Sequence, residues 1–232
     1  MKGDSLRMHY HIGNMLIYQE FSANCECPMC RIRNILERRL ADRYLNESAM
    51  MDDRRQEVNA KGFCTHHTKM MFARDGKLAL ALQEITRLTT LRDKLFATDE
   101  PSDAAAQAEF FAHTHETCVI CDSVEVSMMR YYSTVAMTYD REKRFRDLLP
   151  TVRGFCLPHY AQLLRYAKYA GKHKKEYLGT LTRIQRKSVD DLLLDLNKFT
   201  SKFDYRNADV PWGSAYDALP RCFIKMHGEE AE

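Results

Sequence analysis

Hydrophobic residues recur along most of this chain at steps of three to five, close to the period of an amphipathic helix. Between Cys30 and Gly62 they stand among arginines and glutamates, at Ile32, Ile35, Leu36, Leu40 and Leu45. No segment shows the sustained alternation of apolar and polar positions that marks a half-buried strand. The pattern therefore predicts an all-α fold.

Two longer apolar stripes predict two longer helices. The first begins after His67 and comprises Met70, Met71, Leu78, Ala81, Ile85, Leu88 and Leu95. The second follows an interruption at Gly171 and comprises Leu178, Leu181, Val189, Leu192, Leu196 and Phe199. Between them, the polar, proline-containing segment 97–102 breaks the pattern and is expected to be a linker.

A cysteine–histidine motif occurs twice, and its spacing is nearly identical in the two copies. Each copy has a C-x-x-C pair and, further along, a G-F-C-x-x-H string. The copies are Cys27, Cys30, Cys64 and His67 in the first half, and Cys118, Cys121, Cys156 and His159 in the second. The first cysteines lie 91 residues apart and the third cysteines 92. This agreement predicts an internal duplication of one helical unit.

Three thiolates and one imidazole form a ligand set that zinc favours, in a tetrahedron. The C-x-x-C turn places two sulfurs on one side of an ion, and the C-x-x-H pair at a helix start supplies the other two ligands. The glycine before Phe-Cys is expected to adopt a positive φ at the turn into that helix. Each half holds a complete Cys₃His set, so we expect two zinc ions in self-contained sites. Exchange of ligands, with Cys27 and Cys30 joining Cys156 and His159, is the alternative.

The comparison of the two copies also selects the histidines. Pro158 stands in the second copy where His66 stands in the first, so His67 is the expected ligand. Cys25 and Cys222 have no counterpart in the other half. Cys25 could replace Cys27, whereas Cys222 is expected to be a small buried apolar residue. His113 and His115, just before Cys118, are expected at the surface or beside a site.

These motifs predict a chain of two similar helical repeats and a tail. Residues 1–98 form the first zinc-binding repeat, 99–202 the second, and 203–232 an irregular tail packed on the helices of one compact unit. Trp212, the only tryptophan, is the expected anchor of the tail.

Composition narrows the class of protein. The 232 residues are 45% hydrophobic and 29% charged, which is typical of a soluble globular protein. No apolar run near Met1 is typical of a signal peptide, and none approaches the ~18 residues of a membrane span. We therefore expect a cytoplasmic protein with no membrane contact. In the reducing cytoplasm, eight cysteines favour metal binding over structural disulfides. Redox-active dithiols and iron–sulfur clusters remain alternatives.

The chain resembles an uncharacterised bacterial family, common in clostridia and known only as a domain of unknown function. The resemblance covers nearly the whole chain. It rests on C-P-M-C at Cys27–Cys30, the two G-F-C-x-x-H strings, K-F-D-Y-R-N-A-D-V-P-W-G at Lys202–Gly213 and D-A-L-P-R at Asp217–Arg221. The resemblance implies no activity, but it implies that the tail is a defining element.

Several functions are compatible with two zinc-bound helical repeats. The first hypothesis is a bacterial cytoplasmic interaction or adaptor protein with a protein partner. The second is a thiol-redox or metal-responsive sensor, in which C-x-x-C oxidation releases zinc. The third is nucleic-acid binding through residues 141–187, where thirteen Lys and Arg accompany only three acidic residues. The basic excess alone is more typical of a solvated helix face.

An enzyme is the least favoured class. Four protein ligands leave a zinc ion no open position for water. The sequence also lacks G-x-S-x-G, a P-loop and H-E-x-x-H. The tail residues Asp204, Tyr205, Arg206, Asn207, Asp209 and Trp212 could line a pocket, but a helix end closed by Asn207 explains them more simply. The sequence does not predict the oligomeric state.

Overall fold

The structure, a computed structural model, describes residues 14–46, 51–95, 103–114, 116–207 and 209–229. Every regular element in these ranges is a helix and none is a strand, so the predicted all-α fold is confirmed. Among these helices, none combines the length and apolar character needed to cross a membrane. The expected linker at 97–102 lies outside the described residues.

The α-helices follow one another through most of the described chain. They cover residues 14–21 (α1), Pro28–Leu45 (α2), Asp52–Lys61 (α3), Thr65–Phe72 (α4), Lys77–Leu95 (α5), Ala104–His113 (α6), Val119–Arg141 (α7), Lys143–Leu148 (α8), Leu157–Arg165 (α9), Lys174–Ser201 (α10) and Ala218–His227 (α11). Short 3₁₀ helices cover Leu149–Thr151, Tyr166–His173, Tyr205–Asn207 and Gly213–Ala215. The predicted interruption at Gly171 is present as a kink with φ 47°.

The chain folds into two compact units, and neither coincides with one half of the sequence. Of the described residues, unit 1 contains those in 14–34 and 128–229, and unit 2 contains those in 35–127. The unit boundaries fall inside α2 and α7. Each unit therefore combines parts of both motif copies, which differs from the expected division into 1–98, 99–202 and 203–232.

Unit 1 is built around an aromatic core. The ring of Phe21 lies 5.3 Å from that of Phe145 and 6.0 Å from that of Phe155, and all three residues are buried. The long helix α10 packs against α9, α11 and the 3₁₀ helices beside them. Phe155 belongs to the second G-F-C string, so this core directly fixes one of the cysteine-bearing loops.

The tail belongs to unit 1, and Arg221 ties it to α10. This buried guanidinium pairs with Asp195 of α10 at 2.7 Å and with Asp217 at 2.8 Å. Trp212 packs its ring 5.6 Å from that of Phe199, but 38% of the residue stays exposed. The tail is therefore held by an ion-pair cluster as much as by the tryptophan.

The apolar stripe that begins after His67 is divided between two helices of unit 2, α4 and α5, and α5 has an unexpected orientation. Its packing face against the rest of the unit carries Leu80, Gln83 and Arg87, all buried. The apolar stripe that predicted the helix, including Leu78, Ile85 and Leu88, faces solvent. The periodicity therefore located this helix correctly without identifying its buried side.

Two glycines of unit 1 give opposite predictions for substitution by alanine. Gly179 is exposed within α10, and an added Cβ would meet no atom within 4 Å. Alanine restricts the unfolded chain more than glycine, so Gly179→Ala should raise the free energy of unfolding by about 0.5–1 kcal/mol. Denaturant unfolding of the metal-loaded protein measures this change.

Gly154→Ala is the matched control for that measurement. Its Cβ would lie 2.3 Å from Ser188 Oγ and 2.7 Å from Lys225 Nζ, so it should lower the free energy of unfolding. A stabilising Gly154→Ala or a destabilising Gly179→Ala would contradict this description of α10 and its neighbours.

Candidate metal centres

The eight motif residues come together in two clusters of four. Site A, in unit 1, consists of Cys27, Cys30, Cys156 and His159. Site B, in unit 2, consists of Cys64, His67, Cys118 and Cys121. In each site the four ligand atoms lie within 4.8 Å of one another. Each set could therefore hold a metal ion, and all eight cysteines of the chain are free thiols.

Site A is closed and fully buried. The Cys156 sulfur lies 3.8 Å from that of Cys27 and 3.6 Å from that of Cys30. The Nδ1 atom of His159 faces all three sulfurs, at 3.6 Å from Cys27, 3.3 Å from Cys30 and 3.1 Å from Cys156. All four residues are buried, so an ion at this centre would have no contact with solvent.

Site B repeats this arrangement with greater exposure. The Nδ1 atom of His67 lies 3.2 Å from the sulfur of Cys64 and 3.4 Å from those of Cys118 and Cys121. The sulfurs of Cys64 and Cys121 are 3.7 Å apart. Cys118 and His67 are buried, whereas Cys64 and Cys121 are only partly so. Solvent therefore reaches two of the four residues at this centre.

The prediction of self-contained sites is wrong, because each cluster takes two residues from each motif copy. Cys27 and Cys30 join Cys156 and His159, as in the alternative pairing. The unit boundaries account for the exchange. Helix α2 passes from unit 1 to unit 2 after Asn34, so Cys27 and Cys30 lie in one unit and Cys64 and His67 in the other. Helix α7 returns the chain to unit 1 after Ser127, so Cys118 and Cys121 stay with Cys64 and His67.

Both sites lie where helix N-termini meet. Cys64 is the N-cap residue of α4 and Cys156 that of α9, as the C-x-x-H spacing predicts. Each C-x-x-C pair begins a helix as well, since α2 starts at Pro28 and α7 at Val119. Free backbone N–H groups and the helix dipole favour negative charge at these positions. The helix ends thus oppose, in part, the cost of placing several thiolates close together around a metal ion.

The glycine of each G-F-C string is required for a different reason. Gly62 has φ 67°, which confirms the expected positive φ. At Gly154 that expectation is wrong, because its φ is not positive. Here a side chain would collide with Ser188 and Lys225. A buried cation lies against each glycine. Lys225 occupies the space that a Cβ would need at Gly154, and the Arg87 guanidinium occupies that space at Gly62.

The cysteine-bearing loops are held by side chains that satisfy their backbone groups. Gln185 accepts a hydrogen bond from the Phe155 amide at 3.2 Å and donates one to its carbonyl at 3.0 Å. In unit 2, the amide of Val119 donates to the Gly62 carbonyl at 3.1 Å, which joins the two motifs of site B directly. These bonds preorganise both ligand sets.

Crowding and burial keep the thiols of site A protonated when no metal is bound. The pKa of Cys27 is raised to about 12, mainly by burial. The pKa values of Cys30 and Cys156 are also raised to about 12, mainly by hydrogen bonds among the three sulfurs. Burial lowers the pKa of His159 to about 4, so its imidazole is neutral at pH 7. Metal binding here must therefore displace thiol protons.

Site B distributes its protons differently. A hydrogen bond from Cys121 lowers the pKa of Cys118 to about 3, and the pKa of Cys121 is raised by the same interaction. This interaction favours the thiolate on Cys118 and the thiol on Cys121.

The C-terminal end of α11 covers site A, which sequence patterns did not indicate. The Glu229 amide donates to the Cys30 sulfur at 3.3 Å. Lys225 is buried and donates to Ser188 Oγ at 2.6 Å. Burial lowers its pKa, while the carboxylate of Glu26 and the sulfurs of Cys27 and Cys156 oppose that shift. Only the fold brings this cation near the thiols, since they lie far apart in sequence.

The other candidate residues lie outside both clusters. His66 is absent from site B, in agreement with the choice of His67. Cys222, expected to be buried, is half-exposed, as is Cys25. His113 bonds to Glu116 at 2.6 Å on the surface, and His115 lies outside the described residues. Two tyrosines of the basic segment 141–187 differ in exposure: Tyr177 is buried, whereas Tyr169 is 43% exposed.

One of three comparisons with known proteins finds a match for the chain. No curated protein and no solved structure matches it. A family model described as "Family of unknown function (DUF6062)" matches residues 8–232, which include both sites and the tail. The chain therefore belongs to this family of unknown function.

Proposed function

We propose that sites A and B each bind one zinc ion. A tetrahedral Cys₃His zinc site with ordinary bond lengths has S···S distances of about 3.8 Å and S···N distances of about 3.5 Å. The sulfur of Cys156 lies 3.6 and 3.8 Å from those of Cys30 and Cys27, the sulfurs of Cys64 and Cys121 are 3.7 Å apart, and the S···N distances are 3.1 to 3.6 Å. Three thiolates with one imidazole select zinc over harder cations such as magnesium or calcium. Four protein ligands make both ions structural.

The zinc ions support an interaction protein, and α5 presents its binding surface. Buried polar contacts fix which side of α5 faces the unit. Gln83 donates to the Tyr44 carbonyl at 2.8 Å. Arg87 donates to the carbonyls of Val58 at 3.1 Å and Thr114 at 2.9 Å. A rotation of the helix would leave these groups without partners inside the protein, at a cost of about 1–3 kcal/mol each.

The opposite side of α5 is a continuous apolar stripe in solvent. Leu78 is 75% exposed, Ile85 61% and Leu88 67%, with Leu82 between them. Residues at this spacing share one helix face. A contiguous apolar face of this kind marks a protein-interaction site, because the apolar face of an amphipathic helix is normally buried against other protein. This reversed orientation is the observation that carries the proposal of a partner protein with an apolar helix.

A redox or metal-responsive role is the second candidate, and the exposure of site B favours it. Cys64 and Cys121 are partly exposed with their sulfurs 3.7 Å apart, whereas every cysteine of site A is buried. Peroxide could take two electrons from these two thiolates. A Cys64–Cys121 disulfide would form, the peroxide oxygens would leave as water after taking up two protons, and site B would release its zinc.

The exchanged ligand pairing predicts which double variants retain zinc. Cys30→Ala/His159→Ala removes two ligands of site A, so the protein should keep one ion. Cys30→Ala/His67→Ala removes one ligand from each site and should leave none tightly bound. Native mass spectrometry of the two zinc-saturated proteins counts the ions. The reverse result would show that each motif copy holds its own zinc.

The α5 face predicts a specific protein neighbour. A photo-crosslinking residue at position 82 should capture one partner in cells, and the same residue at Met15, which is 76% exposed on α1, should not. Ile85→Glu should weaken binding of that partner at least tenfold, because burial of such a side chain contributes about 1.5–3 kcal/mol. Binding of the purified partner measures the change.

Met15→Glu is the matched control and should bind the partner normally. Both variants should unfold within about 0.5 kcal/mol of the wild type, because both positions are exposed. A crosslink only to a second copy of the chain would make the face a dimer interface and overturn the adaptor role. Unchanged binding by Ile85→Glu would exclude α5.

Peroxide should release one zinc ion per chain, from site B. Metal release can be followed with a chromogenic chelator, and peptide mapping should find the Cys64–Cys121 disulfide. Site A serves as the internal control, since its buried thiols should retain their ion. Retention of both ions with unchanged helicity would rule out the redox role.

A further inference from the structure

The proton of His67 must lie on the side of the ring that faces away from site B. Its Nδ1 atom points at three sulfurs, so that atom supplies the lone pair to a metal. A neutral imidazole has one lone pair and one N–H group, which places the proton on Nε2. His67 is buried, and its Nε2 atom has no hydrogen-bond partner among the described residues. A buried N–H donor without an acceptor is unfavourable.

A buried carboxylate lies close to the His67 ring. One carboxylate oxygen of Glu37, in α2, lies within 4.8 Å of one ring nitrogen of His66 and one ring nitrogen of His67. Its Oε2 is 3.8 Å from Nε2 of His66. The Glu37 side chain is only 4% exposed. Burial of a carboxylate is costly unless hydrogen-bond donors surround it, so the nearby N–H of His67 is a favourable partner.

Site A has no equivalent of this carboxylate. At the motif offset of 91, Met128 replaces Glu37, and at the offset of 92, Pro158 replaces His66. Instead, the electrostatic influence on His159 comes from the cation Arg33. Both histidines nevertheless face their sulfurs through Nδ1.

We infer that Glu37 is the positioning residue of site B and accepts a hydrogen bond from the Nε2–H group of His67 in the metal-bound protein. This inference rests on the proposed zinc at site B. The bond fixes the tautomer and the ring orientation of His67 and makes Nδ1 a stronger donor to zinc. It thereby compensates for the greater solvent exposure of site B.

Glu37 could instead be a ligand of a third ion, together with His66 and His67. That arrangement needs a second lone pair on His67, because Nδ1 already faces site B. The imidazole would have to lose its remaining proton, which a hydrogen bond to Glu37 does not require. The hydrogen bond is therefore the assignment that the geometry favours.

The test compares Glu37→Gln and Glu37→Ala with the wild type in the full-length protein. Chelator competition with native mass spectrometry measures zinc affinity at each site. Glu37→Ala should weaken site B about 10- to 100-fold and leave site A unchanged. Glu37→Gln keeps the side-chain shape and an acceptor oxygen, so it should have a smaller effect. Glu57→Gln, which removes an exposed carboxylate from α3 of the same unit, should have none.

The Nε2 proton of His67 gives a readout that lost packing alone would not change. Its NMR resonance should lie downfield in the wild type and move upfield in both Glu37 variants. Unchanged affinity and an unchanged resonance would overturn the inference. So would a third zinc ion that is present in the wild type and lost in Glu37→Ala. Wild-type protein without an ion at site B would instead overturn the zinc proposal itself.

Discussion

The structure depends on the meeting of four helix N-termini in two pairs, with three sulfurs and one imidazole at each meeting point. Without a metal, these groups crowd one another, and the buried thiols of site A stay protonated with pKa values raised to about 12. A metal ion at the centre of each site would instead form a bond with each of the four ligand atoms. The free energy of metal binding then contributes to folding, because the ligand set exists only in the folded chain. A bound metal at either site would therefore stabilise the fold.

Much of this could be predicted from the sequence. Apolar spacing indicated an all-α chain, and the comparison of Pro158 with His66 selected His67. The pairing of the ligands could not be derived in this way, because both pairings use the same four pairs of residues at the same spacings. The pairing depends on where the chain passes from one compact unit to the other, which happens inside α2 and α7. The spacing of the motifs does not contain that information.

Helix α5 and Glu37 show a second limit of sequence patterns. A period of three and four identifies an apolar face, but the face that packs inward is set by partners elsewhere. Gln83 and Arg87 are buried because carbonyls of Tyr44, Val58 and Thr114 accept their hydrogen bonds. Glu37 likewise stands among the arginines of α2 like a surface residue. Only the fold brings it to the histidine of a site whose other residues follow it by at least 27 positions.

The exchanged pairing determines the order in which a ribosome can deliver a complete molecule. The residues of site B all lie between positions 64 and 121, so they are synthesised before Cys156 and His159. Cys27 and Cys30, in contrast, precede their partners Cys156 and His159 by more than a hundred residues. The ligand set of site B is therefore complete during synthesis before that of site A, although the first two residues of site A are made before any residue of site B.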